Sequence, residues 1–313
     1  MRIGLDMMGG DYAPVEAVKG VKLFLETVAA DAHLVLIGDE VALAPLLSEA
    51  QLDQSKYSVV HSSQVIGMNE HPTKALKEKQ HSSISIGFHL LQSGKIDAFI
   101  SAGNTGAMMV GTFYSIKAIE GVQRPTISTP VPRLDGSLGL LLDVGINADC
   151  KAENLLQFAI LGSLYSKHIL NVSNPTVGLL NIGEEEGKGN LLAQATYPLL
   201  KEHPELNFIG NVEGRDVLTG KADVIVCEGF TGNVVLKMAE SLHDIAVQRN
   251  INDEYMDRFN FQSYGGTPVL GVSKPVIIGH GISKDTAFKN MIVLAQQMIE
   301  TKLLEKIRES FVK

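Results

Sequence analysis

Arg2-Ile3-Gly4-Leu5-Asp6-Met7-Met8-Gly9-Gly10-Asp11 is a short apolar run that breaks into two glycines and an aspartate. A strand followed by a glycine turn is how an α/β protein builds its first strand and its first ligand loop. Paired glycines allow positive φ and close approach to a ligand, and residues 14–28 read as a helix whose N-terminal N–H groups can face that loop. Asp6, Gly9 and Gly10 are therefore candidate anion-binding residues.

Working outward, the same alternation repeats along the chain. Strand periods fall at 33–37, 57–61, 98–101, 139–143, 176–180, 207–209, 224–226 and 276–278, several ending in Gly or a small polar residue before a helical period begins. This predicts a three-layer α/β/α fold around a mainly parallel, doubly wound sheet. In such sheets ligands sit beyond the carboxyl ends of the strands. No Pro/Gly-rich linker divides residues 1–313, so the expectation is one domain with a short helical excursion at 234–264.

Composition narrows the function classes. A chain of 313 residues buries roughly 75% of its unfolded surface and needs no staples. The 45% hydrophobic and 20% charged content is that of a globular protein, and two cysteines are too few for a disulfide framework or a zinc site. The N-terminus lacks a basic, apolar signal and no 18-residue apolar run occurs, so a cytoplasmic protein is expected. With a net charge of −8 and no Lys/Arg-rich face, no nucleic-acid partner is expected.

Four strand ends carry candidate chemistry. Ser101-Ala102-Gly103-Asn104-Thr105-Gly106 runs from a strand into an apolar helix and offers small residues, two side-chain donors and helix N–H groups, suited to phosphate or an amide. Leu142-Asp143-Val144-Gly145-Ile146-Asn147 fits an Asx-turn network and a ligand loop equally. Asn181-Ile182-Gly183-Glu184-Glu185-Glu186-Gly187-Lys188-Gly189-Asn190 imitates a Walker A loop. It has one residue too few between its glycines, however, and Gly189 where that motif needs Ser or Thr. What survives is Lys188, held between two glycines and free to reach an anion. Cys227-Glu228-Gly229-Phe230-Thr231-Gly232-Asn233 again leads from strand to helix, and the Asn233 carboxamide can donate to developing negative charge. Thr231 and Gly232 join it as candidates. Of nine scattered histidines, His280 alone sits at a glycine-flanked strand end, Gly279-His280-Gly281.

The absences constrain mechanism as well. There is no G-x-S-x-G elbow, H-E-x-x-H, Cys-x-x-Cys or G-x-G-x-x-G, so covalent, zinc and dinucleotide chemistry lose support. An anionic nucleophile brought by the substrate needs no catalytic base.

Taken together, residues 1–11, 100–108, 141–154, 178–190, 208–215, 228–237 and 263–266 resemble the bacterial phosphate acyltransferases of the PlsX family across nearly the whole chain. The segments Ile100-Ser101-Ala102-Gly103-Asn104-Thr105-Gly106-Ala107 and Gly229-Phe230-Thr231-Gly232-Asn233-Val234 are the most specific. The resemblance implies a fold similar to phosphotransacetylases and isocitrate or isopropylmalate dehydrogenases, and transfer of a long-chain acyl group from acyl carrier protein to inorganic phosphate for phospholipid synthesis. It places the family's catalytic lysine and asparagine on Lys188 and Asn233, implies no cofactor and no metal, and suggests a homodimer. It also implies peripheral membrane contact and a downstream acyltransferase that passes the acyl phosphate to glycerol 3-phosphate. The chain departs from the family at Met7, usually alanine, and at Glu228, often aspartate. The excursion at 234–264 is also much shorter than in many relatives, so weak membrane contact is expected. Apolar Val234, Met238, Leu242 and Ile245 recur at helical spacing, as in a helix packed on the body or on a second subunit. Two alternatives predict different behaviour: a nucleotide-dependent dehydrogenase of the related fold, and a noncatalytic anion-binding scaffold.

Overall fold

The computed structural model describes residues 1–28 and 31–312. Its strands in chain order are β1 (Arg2–Asp6), β2 (His33–Gly38), β3 (Tyr57–His61), β4 (Ala98–Ser101), β5 (Thr126–Pro132), β6 (Leu138–Leu142), β7 (Thr176–Asn181), β8 (Asn207–Glu213), β9 (Val224–Val226), β10 (Gly266–Leu270) and β11 (Val276–Gly279). The residues gather into two compact units, Met1–Ile119 with Phe261–Leu304 and Glu120–Asn260 with Glu305–Lys313.

In the first unit the strand order is β3-β2-β1-β4-β11-β10. Every pairing is parallel except β10 against β11. Ile3, Leu5, Leu34, Leu36 and Phe99 are fully buried, as expected of central parallel strands covered on both faces. Helix Ser83–Gln92 packs on β1 and β4, and helices Val15–Thr27 and Asp285–Glu300 pack on each other. Parallel alignment of β1, β4 and β11 brings their carboxyl ends side by side.

In the second unit the order is β5-β6-β9-β7-β8, parallel apart from β5 against β6. Val131, Leu141, Val212 and Ile225 centre one core cluster. An ion pair between buried Arg133 and partly covered Asp223, Nη1 to Oδ1 at 3.0 Å, ties the β5–β6 turn to the start of β9. Asp223 Oδ2 also accepts from Thr176 N (2.8 Å) and Thr176 Oγ1 (2.7 Å). Burial opposes the charge on Asp223, but these donors outweigh it and hold its carboxyl below the usual 3.8.

The expected parallel α/β architecture is present, with three differences in detail. Strands β5 and β10 are absent from the sequence reading because Pro130, Pro132 and Pro268 argue against strand. Arg133 N donates to Ser137 O at 3.1 Å, so antiparallel alternation puts Val131 and Thr129 in the hydrogen-bonding phase toward β6. Pro130 and Pro132 take the other phase, where β6 requires no N–H from them. Second, the C-terminal residues form two helices, Asp285–Glu300 and Leu303–Phe311, separated by Lys302 at φ +53°. Third, the helix after β9 starts at Gly229 and runs to Gln248, so the presumed Gly-Phe-Thr-Gly-Asn loop is its first turn and a half.

Candidate active site

Nine of the sequence-predicted residues lie in the first unit at the ends of β1, β4 and β11. Asp6 is 1% exposed and accepts from the Ser101 hydroxyl at 2.6 Å and from Met8 N at 2.9 Å. Ser101 Oγ in turn accepts from Gly103 N at 2.9 Å. Burial raises the Asp6 carboxyl above 3.8, with bonds from Ser101, Ser83, Met8 and Gly9 only partly opposing it. Asp6 is thus a buried strut that binds the β1 turn to the β4 turn. The fit is close at Gly9, where a Cβ would sit 2.6 Å from Gly103 N. Asp11 N donates to Gly281 O at 2.7 Å, and Ser283 N to His280 O at 2.9 Å. The Gly9-Gly10 turn and the half-buried His280 turn are therefore in contact.

Asn104 is spent internally. It caps the following helix, accepting from Ala107 N at 2.9 Å, and its amide donates to Gly67 O, Met68 O and Glu70 O at 3.0 to 3.1 Å. Thr105 and Gly106 form the first turn of helix Thr105–Gly111, with Thr105 exposed.

The remaining four lie in the second unit, at the ends of the neighbouring strands β7 and β9. Lys188 is exposed, and among the described residues it has no carboxylate partner. Of the adjacent acidic run, Glu184 pairs with Lys221 at 2.6 Å and Glu186 with Lys201 at 2.9 Å, while the Glu185 carboxylate and the Lys188 stem both lie against Gly183. Its loop is pinned by Asn181 Nδ2 to Lys188 O at 3.1 Å and by Gln194 Nε2 to Gly189 O at 3.0 Å. Gly189 takes φ +98°, a conformation that favours glycine. A cation on a four-carbon stem at a rigid turn is a mobile point charge over a fixed base.

Asn233 is exposed on the Gly229–Gln248 helix, above Gly145, whose added Cβ would lie 3.4 Å from Asn233 Oδ1. Glu228 caps that helix, accepting from Thr231 N at 2.9 Å and from the Thr231 hydroxyl. Thr231 is therefore engaged in the cap. Gly232 is buried against the β6 end.

Asp143, whose sequence context fits an Asx-turn network and a ligand loop equally, is a hub. Fully buried, it accepts from Asn147 N (2.7 Å), Asn147 Nδ2 (2.9 Å) and Ile127 N (3.3 Å). Asn147 passes the link on by donating to Pro125 O at 2.9 Å and accepting from Gly229 N at 2.7 Å. The Asx spacing Asp143 to Asn147 was the sequence signal; Gly229 was not predictable from it. Between the β7 and β9 ends lies a cavity of about 550 Å³. Its walls include Gly189 and Asn190, which follow Lys188, and Thr231 and Val235, which flank Asn233. Neither cysteine is a candidate nucleophile. Burial, then Glu228 and Asp143, push the Cys227 thiol well above its usual range, and burial pushes Cys150 to about 11.

Residues 1–306 match the model of the family described as fatty acid synthesis protein. The chain belongs to that family. Its relatives include the phosphate acyltransferase of Dictyoglomus turgidum, 44% identical with 99% of this chain and 97% of the relative covered. That of Heliobacterium modesticaldum is likewise 44% identical, at 99% and 97% coverage. The first alignment runs over 329 positions, so the relative carries residues that this chain lacks. The expected membership of the phosphate acyltransferase family is borne out. Among solved structures, a phosphotransacetylase from Streptococcus pyogenes superposes with a TM-score of 0.67 at 17% identity, covering 96% of this chain and 94% of the other. It supports the fold alone.

Proposed function

We propose that this chain transfers an acyl group from the thioester of acyl carrier protein to inorganic phosphate. The observation that carries the reading is Lys188, a cation with no ion-pair partner among the described residues, on a pinned glycine loop whose Gly189 and Asn190 wall a largely apolar cavity, with Asn233 between Thr231 and Val235 of the same wall. Lys188 holds phosphate beside the thioester carbonyl. A phosphate oxygen attacks the carbonyl carbon, forming a C–O bond and a tetrahedral oxyanion toward which the Asn233 amide donates. Collapse breaks the C–S bond, and the thiolate of the carrier leaves. Holding the two reactants together lowers the entropic barrier, and one oxyanion donor contributes on the order of 10²- to 10³-fold. The protein supplies no nucleophile of its own, which agrees with both cysteines being protonated at neutral pH. In the first unit, Asp6 and Ser101 act by shaping the Gly9 and Gly103 turns, with Gly10, Thr105, Gly106 and His280 offered to phosphate or substrate.

The product is a mixed anhydride, and its consumer is an acyltransferase that uses glycerol 3-phosphate. The helix Gly229–Gln248 mediates a homodimer: Val234, Met238 and Ile245 are 53%, 67% and 49% exposed, so they do not pack on the body, one of the two arrangements expected. No helix among the described residues is long and apolar enough to cross a membrane. Around the exposed face, Glu240, Asp244, Asp253, Glu254 and Asp257 outweigh Lys237, Arg249 and Arg258, which keeps contact with anionic lipid weak. The reading is tested by incubating the protein with palmitoyl-acyl carrier protein and following free thiol with and without phosphate. A nucleotide-dependent absorbance change with no thiol release favours a dehydrogenase instead, and phosphate binding without turnover favours a scaffold.

A further inference from the structure

The cavity between the β7 and β9 ends is lined by Leu155, Leu179, Leu180, Leu192, Ala193 and Val235. Leu155, Leu179 and Ala193 are buried at 2%, 1% and 8% exposure. Polar groups in the wall are largely committed to the protein itself. Glu228 accepts from Thr231 N and Oγ1, Asn190 Oδ1 accepts from Ala193 N at 2.8 Å, and Asn181 Oδ1 accepts from Ile182 N at 2.8 Å. An amide-bearing ligand would leave its own polar groups poorly paired there, a cost an alkyl chain does not carry. At about 550 Å³ the space falls within the roughly 300–1,000 Å³ of small-molecule pockets. Ile182 and Leu191, 81% and 86% exposed, extend the apolar surface outward.

We propose that this cavity holds the alkyl chain of the acyl thioester, and that Ala193, with Leu155 and Leu179, sets the length of chain accepted. The proposal rests on the acyl-transfer reading above. It accounts for the position of the cavity next to Lys188 and Asn233: the thioester carbonyl lies at the mouth, where phosphate is held, and the chain runs inward. Ala193 is the gate because it is the smallest of the apolar side chains in the wall, and a larger one takes up the same space.

The test compares octanoyl-, dodecanoyl- and palmitoyl-acyl carrier protein as donors to phosphate, reading free thiol. In the native protein kcat/KM rises by about fourfold for each methylene buried until the cavity is full. In Ala193→Phe the rise stops at a shorter chain, so the palmitoyl-to-octanoyl ratio falls by at least tenfold; Ala193→Leu gives an intermediate ratio. A second measurement needs no variant. Palmitate bearing a diazirine near its methyl end is irradiated with the native protein, and peptide mass spectrometry is expected to place adducts on the segments around Leu155, Leu179 and Leu192-Ala193. Adducts on the Val234-Met238-Ile245 face, or an unchanged chain-length ratio in folded Ala193→Phe, overturn the cavity assignment while leaving acyl transfer standing. Absence of phosphate-dependent thiol release at every chain length overturns the acyl-transfer reading itself.

Discussion

Replacing Gly232 by alanine separates helix stability from active-site geometry. Gly232 is the fourth residue of the helix Gly229–Gln248, where alanine normally stabilises by about 1 kcal/mol relative to glycine. Here the added Cβ lies 3.0 Å from both the Asp143 carbonyl carbon and Cys227 Sγ, and nearer still to the Asp143 carbonyl oxygen. Ordinary carbon-to-oxygen contacts are about 3.3–3.6 Å. Asp143 and Cys227 are buried and tied to β6 and to each other by Cys227 N to Leu142 O at 2.8 Å and Asp143 N to Cys227 O at 3.0 Å, so the helix turn carrying Gly232 must move instead. Overpacking of this kind costs about 1–3 kcal/mol, and the gain in propensity offsets part of it. The net change is a destabilisation of about 0–2 kcal/mol, a shift of a few degrees in Tm. Asn233 is the next residue, and a displacement of about 1 Å near the reacting atoms costs on the order of 10²-fold in rate. Gly232→Ala is therefore expected to lose about 100-fold in kcat while its thermal unfolding changes little. Gly187→Ala, where an added Cβ meets nothing within 4 Å, serves as the control. A Gly232→Ala protein that is more stable than the native chain and retains activity within threefold would falsify the packing argument and the placement of Asn233 beside the chemistry.

Four further outcomes follow from the same geometry. Lys188→Ala should lose turnover severely with an unchanged melting curve, because the loop carries no core, and Asn233→Ala should act mainly on kcat; near-native kinetics in either folded variant would show the roles to be misassigned. Removing Arg133 as Arg133→Met leaves the partly covered Asp223 carboxylate with only its Thr176 donors and should destabilise by about 1–3 kcal/mol, checked by urea unfolding. Because the folded value of Asp223 is depressed, its contribution is fully present above 3.8 and is lost as pH falls through the depressed value. The gap in stability between native protein and Asp223→Asn should accordingly be constant near neutrality and narrow below pH 3.8; a gap that widens in acid contradicts the assignment. Flotation with anionic vesicles should recover little protein, whereas salt-resistant co-flotation would mean that the exposed Val234-Met238-Ile245 face inserts despite its acidic surroundings.

Much of this arrangement was legible in the chain. The glycine turns at Gly9-Gly10 and Gly187-Lys188-Gly189 were visible because glycine signals backbone that other residues avoid, and the parallel strands because their apolar runs are short and bounded. Strands β5 and β10 were hidden by their prolines, and for β5 only the paired register reveals a phase that tolerates them. Asn104 looked like a ligand group, yet all of its bonding goes to the 67–70 turn and its own helix, since a capping side chain and a substrate donor have the same sequence signature. The Asp143 hub and the cavity walled by Leu155, Leu179 and Ala193 join residues from separate helices and strands, so no linear spacing announces them.

The central claim, direct attack by phosphate without an acylated protein, is tested by mixing the purified chain with palmitoyl-acyl carrier protein labelled in the acyl group. Thiol release should require phosphate, and the label should pass to acyl phosphate in equal amount with none retained on the protein. Thiol release in the absence of phosphate, or label on a side chain that is discharged by phosphate at the rate of turnover, would contradict it.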